Sequence, residues 1–111
     1  MNMNITTEKI NDFTVLKIDG RIDTSNFSVL EEEVNQLFSN GVNNIVFDCS
    51  GLNYISSSGL RVFLIAQKKT ILLQGRLHLC NMQPAIKEIF AISGFSNIFR
   101  IFNILGEALE S

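Results

Sequence analysis

Three consecutive apolar residues, Ile45-Val46-Phe47, stop abruptly at Asp48-Cys49-Ser50-Gly51. A run with no polar side suits a strand covered on both faces, and the stretches around it alternate between strand-like and helix-like periods. A central parallel strand in an α/β sandwich is therefore expected. Upstream, Ile5 to Ile10 and Phe13 to Ile18 are β-rich runs separated by the turn-forming pair Asn11-Asp12, which predicts a hairpin ending at Asp19-Gly20. From Asp23 the period lengthens. Phe27, Leu30, Val34 and Leu37 fall on one helical face, Glu31, Glu32, Asn35 and Gln36 on the other, and Gly41 closes the helix.

Downstream, Gly59 to Leu73 is ambiguous by composition, because Val62-Phe63-Leu64-Ile65-Ala66 is apolar on every side. Its length, and the stop at Gly75, argue for a largely buried helix. Arg76-Leu77-His78-Leu79-Cys80 alternates as a strand does, Pro84 opens a helix carrying Ile86, Ile89 and Phe90, and Ser93-Gly94 ends it. Ile98 to Phe102 predicts a last strand, followed by a short amphipathic segment from Asn103 to Leu109 that Asn103 caps. The expected architecture is a single α/β domain over residues 1–111. Its mixed sheet has parallel later strands and an antiparallel N-terminal hairpin, in the order ββαβαβαβα.

With 111 residues the chain supports one hydrophobic core. Nine Lys+Arg against eleven Asp+Glu give a formal charge of −2 without a basic block, which argues against a nucleic-acid partner. The longest uncharged stretch, Val34 to Phe47, is too short to cross a bilayer, since a span needs about 18 residues. Met1-Asn2-Met3-Asn4-Ile5-Thr6-Thr7-Glu8 has no basic region followed by an apolar run, so no secretory signal is expected and the cytoplasm is the default location. Cys49 and Cys80 form no Cys-x-x-Cys pair and are expected as small buried thiols near strand ends. The single His78 has no ligand-spaced partner and is expected in a strand, so neither a metal nor a cofactor is indicated.

In an open α/β sheet, functional groups gather beyond the carboxyl ends of the strands. Three serines, Ser56-Ser57-Ser58, lie there in the connection from the central strand to the buried helix. A serine hydroxyl at a helix start can cap the helix, and a phosphate on it would be stabilised by the same unpaired N–H groups. The residues alone leave both readings open. A hydrolase would need Gly-x-Ser-x-Gly, and no glycine stands two residues before any of the three serines. A receiver-like phospho-acceptor centred on Asp48 would need an acidic pair for magnesium, for which Asp19 and Asp23 are a loose substitute.

Ile45-Val46-Phe47-Asp48-Cys49-Ser50-Gly51-Leu52 and Ile55-Ser56-Ser57-Ser58-Gly59-Leu60-Arg61 together resemble the signature of the STAS domain. Bacterial anti-sigma factor antagonists and the cytoplasmic tails of sulfate transporters share this fold. Gly20-Arg21-Ile22-Asp23-Thr24, Ser93-Gly94-Phe95 and Gly106-Glu107-Ala108-Leu109 extend the resemblance over nearly the whole chain. It implies a regulator rather than an enzyme, one that binds an anti-sigma factor with serine-kinase activity and so controls sigma-factor-dependent transcription. Phosphorylation would switch it off, and a serine phosphatase is a further partner the switched reading allows. The family's phosphorylated position falls on Ser57, with Ser56 and Ser58 as alternative acceptors; Ser56 stands where the family has an aspartate. The implied partner surface comprises Asp23, Thr24, Ser56, Ser57, Ser58, Gly59 and Arg61. A STAS module that docks or senses a ligand without being phosphorylated is the alternative. Glu31-Glu32-Glu33 is expected as a solvated helix face, and Phe95, Phe99 and Phe102 as core or C-terminal packing.

Overall fold

A computed structural model describes residues 3–111, opening with an antiparallel hairpin of β1 (Met3–Ile10) and β2 (Phe13–Ile22). Asn11 makes the turn at a φ of 56°, a left-handed conformation that asparagine tolerates well. The chain continues through α1 (Phe27–Ser39), β3 (Asn44–Ile55), α2 (Ser57–Leu72), β4 (Arg76–Cys80), α3 (Pro84–Ile92), β5 (Arg100–Phe102) and α4 (Leu105–Glu110). The five strands pair in sequence order, with every pair after the first parallel. The expected α/β order is therefore present. The N-terminal stretch lacking a secretory pattern includes Met1 and Asn2, which lie outside the described residues.

Two layers cover the sheet unequally. Leu30 and Val34 of α1, Leu60 and Phe63 of α2, and Ile86 and Phe90 of α3 pack against Leu16, Ile18, Phe47, Leu77 and Leu79. Phe63 meets Phe47 and Phe90 edge-on, with centroids 4.7 and 5.8 Å apart, an arrangement favoured by the ring quadrupoles. The opposite face carries α4 alone, where Ala108, Leu105 and Leu109 cover Phe13, Val15, Val46 and Cys80. The three expected packing phenylalanines divide between these layers: Phe95 and Phe99 join the Phe90 cluster, and Phe102 lies beside His78 under α4. Cys49 and Cys80 are buried free thiols, and burial pushes the Cys80 thiol up to about 12. Among the described residues no helix is long and apolar enough to cross a membrane.

Several boundaries differ from the sequence expectation. The run ending at Phe47 continues as strand to Ile55, so Asp48-Cys49-Ser50-Gly51 is not a strand end. β3 has two more residues than β2 across their shared span, inserted between the pairs Lys17↔Asp48 and Asp19↔Gly51 and between Gly20↔Leu52 and Arg21↔Tyr54. These irregularities break the alternation that marks a strand. Likewise β2 runs past Asp19-Gly20 to Ile22, with Gly20 accommodating a φ of 99° at the second irregularity. Helix α1 begins at Phe27 rather than Asp23, and α2 at Ser57 rather than Gly59. Ile98 closes a 3-10 turn over Phe95–Asn97 instead of opening β5. Asn103 does not cap α4; Ile104 occupies the N-cap without a side-chain bond.

Candidate functional site

Strands β2 and β3 end side by side, Ile22 opposite Ile55. The next residue, Ser56, is the whole connection to α2. Its N–H donates to the Ile22 carbonyl at 2.9 Å, and its hydroxyl accepts the Gly59 N–H at 3.2 Å, so it serves as N-cap of α2. Only 9% of Ser56 is exposed. The triple serine therefore divides by position: Ser56 is committed to the cap, Ser57 is exposed as the first helical residue, and Ser58 is half-buried. Gly59 lies so close to Ile22 and Ile55 that a Cβ would stand 2.7 Å from Ile22 Cγ2 and 2.8 Å from Ile55 Cγ1. This close approach seats the helix on the ends of both strands.

The Asp23-Thr24 turn follows Ile22 and so stands beside the α2 start. Asp23 Oδ1 accepts the Ser25 N–H at 2.9 Å and the Ser25 hydroxyl at 2.6 Å, and Arg21 Nε lies 3.8 Å from its Oδ2. The Ser25 hydroxyl bond, followed by the Ser25 N–H, holds the Asp23 carboxyl below the usual aspartate range, keeping it ionised. Thr24 is exposed. Asn26, not singled out from the sequence, is 1% exposed and braces the turn: its Oδ1 accepts the Asp23 N–H at 2.8 Å and its Nδ2 donates to the Arg21 carbonyl at 2.9 Å. An asparagine immediately before an amphipathic run was its only sequence signal.

Beyond the strand ends, α1 and α2 flank an open cleft of about 170 Å³ lined by Phe27, Glu31, Ser58, Arg61, Val62 and Ile65. The sequence pointed to Ser58 and Arg61 but not to the α1 wall. Glu31 and Glu33 of the acidic run are half-buried and Glu32 is exposed. The Arg21 guanidinium stacks 4.3 Å above the Tyr54 ring near the end of β3.

The other candidate chemistries are disposed differently. His78 Nδ1 lies 2.9 Å from the Ala108 carbonyl on the α4 face, away from the serines on the far side of the sheet. Asp48, 9% exposed, accepts the Ser50 N–H at 3.0 Å and an Asn81 Nδ2–H at 3.2 Å, so the carboxylate ties the irregular stretch of β3 to the residue that follows β4 rather than capping a loop. Among the described residues, no group of three or more His, Cys, Asp or Glu side chains is placed to hold a metal ion.

A hairpin-led mixed sheet, three helices on one face, and a helix-opening serine group at the ends of β2 and β3 define the class of α/β domain to which the chain conforms. The chain belongs to the STAS domain family, whose model matches residues 4–108. A relative from Bordetella bronchiseptica that carries the name of an anti-sigma factor antagonist, BtrV, is 38% identical over 101 residues, 91% of this chain and 87% of that protein. Among solved structures, an anti-sigma factor antagonist from Mycobacterium paratuberculosis superposes with a TM-score of 0.89 at 20% identity, covering 97% of this chain and 92% of that one. The Bacillus cell fate determinant SpoIIAA, solved in its phosphorylated form, superposes with a TM-score of 0.75 at 20% identity, covering 96% and 97%.

Proposed function

We propose that this chain is a cytoplasmic anti-sigma factor antagonist. It binds an anti-sigma factor with serine-kinase activity, and phosphorylation of Ser57 ends that binding. The observation that carries the reading is the division of labour among the serines: Ser57 is exposed on the first turn of α2 while the Ser56 hydroxyl is occupied by the cap. The relatives named as anti-sigma factor antagonists support the partner class, and the phosphorylated form of SpoIIAA supports a phosphate-based switch. In this role the protein is a regulator rather than an enzyme, and a serine phosphatase resets it.

The charge arithmetic favours such a switch. A phosphate adds roughly −1.5 to −2 charges at pH 7, comparable with the whole formal charge of −2. It would join the ionised Asp23 on the neighbouring turn, turning a neutral serine surface into an anionic one opposite any acidic partner group. Asp23, Thr24, Ser57, Ser58 and Arg61 form the proposed contact surface; Ser56 and Gly59, expected there from the sequence, are buried behind it as the cap and the seat of α2. Because a helix start accommodates an anion, the domain stays folded and only the partner is lost. Binding of Ser57→Ala and Ser57→Asp to the host's anti-sigma factor tests this. Ser57→Ala should bind as the unmodified chain does and Ser57→Asp should bind at least tenfold more weakly; equal affinities would overturn the switch.

Ser56 in place of the family's aspartate favours a second reading, a constitutive docking module, because the local charge a kinase could recognise is missing. Phosphopeptide mapping of the protein from its host separates the two: an unmodified 57 position under all growth conditions would select the docking module.

A further inference from the structure

We propose that Arg61 is a positioning residue for the phosphate, folding back one helical turn to clamp a phosphorylated Ser57 and leaving the α1–α2 cleft as it does so. The inference rests on the reading of Ser57 as the phosphoacceptor and adds the way the modification is read. Ser57 and Arg61 are both exposed on α2 and stand four residues apart, where side chains are neighbours on a helix surface. An anion on the N-terminal side of a cation is also the favourable order relative to the helix dipole. The guanidinium fork matches two phosphate oxygens at once, which a lysine does not.

Arg61 is available for this and the other nearby arginine is not. The single ion pair among the described residues joins Arg21 to Asp23, and Arg21 also covers the Tyr54 ring. Arg61 instead lines the cleft together with Glu31 and Ser58, without a carboxylate within ion-pair distance. In the unmodified chain its charge is presented to whatever occupies the cleft. A phosphate on Ser57 draws that charge back to its own helix, and the cleft is left with Glu31 as its charged wall. One modification thus adds an anion to the surface and withdraws a cation from it.

The test uses the full chain with phosphoserine installed at position 57 during synthesis, so it depends on neither kinase nor partner. Phosphorus NMR then follows the second ionisation of the phosphate with pH. Removing the clamp in Arg61→Gln should raise that pKa by roughly 0.3 pH units relative to the parent, Arg61→Lys should recover part of the shift, and Lys68→Gln, the same charge change farther along α2, should leave it in place. Identical titrations for the parent and Arg61→Gln, or equal shifts for Arg61→Gln and Lys68→Gln, would overturn the clamp. Failure of the partner-binding switch would be seen separately, in the binding comparison of the Ser57 variants.

Discussion

The hydroxyl of Ser56 and the backbone N–H of Gly59 are joined by a 3.2 Å hydrogen bond that closes the first turn of α2 directly on the end of β3. Removing the hydroxyl leaves a buried donor without a partner. Ser56→Ala should therefore cost about 1 kcal/mol in urea unfolding, and Ser56→Asp, which keeps a capping oxygen, should recover most of it. Ser57→Ala, one residue on and exposed, should change stability by less than about 0.5 kcal/mol.

Gly59→Ala puts a methyl against Ile22 and Ile55 at distances shorter than van der Waals contact allows. Alanine is the better helix former by about 1 kcal/mol, so a freely accommodated methyl would stabilise. The contacts involve branch atoms close to the backbone, and the overpacking penalty of about 1 to 3 kcal/mol should win. Chemical denaturation should show net destabilisation; a gain would mean that α2 can shift away from the strand ends.

Asn26 contributes two hydrogen bonds from a buried position, one to each side of the Arg21–Asp23 turn. Asn26→Ala should lose about 1 to 3 kcal/mol because the Asp23 N–H and the Arg21 carbonyl lose their partners. Thr24→Ala, on the exposed part of the same turn, should stay within about 0.5 kcal/mol. Equal effects from the two would show that Asn26 does not brace the turn.

His78 sets an acid limit on stability. It is 1% exposed between Phe13 and Phe102, its Nε2 has no partner, and burial, the largest cause, together with Arg76 and Arg100 lowers its pKa below 6.5. A lowered histidine pKa means the unfolded chain takes up the proton first. The stability it contributes is complete above about pH 6.5 and is lost as the pH falls through the lower folded value, with a slope of at most about 1.4 kcal/mol per pH unit. Asp23 has the same sign but acts in a lower window, below the ordinary aspartate value of 3.8. Urea unfolding at pH 7.5 and 5.0 should show the loss, and His78→Gln, which does not titrate, should show a smaller one. Equal losses would remove His78 as the cause.

Helix α1, with its one apolar face, was legible from spacing, α2 only from its length, and β4 from the alternation of Leu77 and Leu79 with Arg76 and His78, although everything from Leu77 to Cys80 is buried. The end of β3 was hidden because its two extra residues shift the inward positions to Leu52 and Ile55, interrupting the two-residue period. The start of α2 was hidden for a related reason: serine is compatible with cap, helix and loop, and only the burial of Ser56 against the exposure of Ser57 separates their roles. Arg61 was legible within the family pattern, whereas the α1 wall of the cleft depends on how two helices pack side by side on one face of the sheet, which no local spacing encodes.

The two additional residues of β3 act as a vernier. They let that strand arrive level with Ile22 although it takes more steps to get there, and the alignment of Ile22 with Ile55 is what lets one residue bridge strand and helix. Register, rather than the identity of any exposed residue between 49 and 54, thus determines where Ser57 emerges. Substitutions at Ser50 or Asn53 should be absorbed, whereas deleting either would retract the strand by about 3.3 Å and turn its inward side chains to the opposite face. Along this stretch the protein tolerates changes of spelling but not of length.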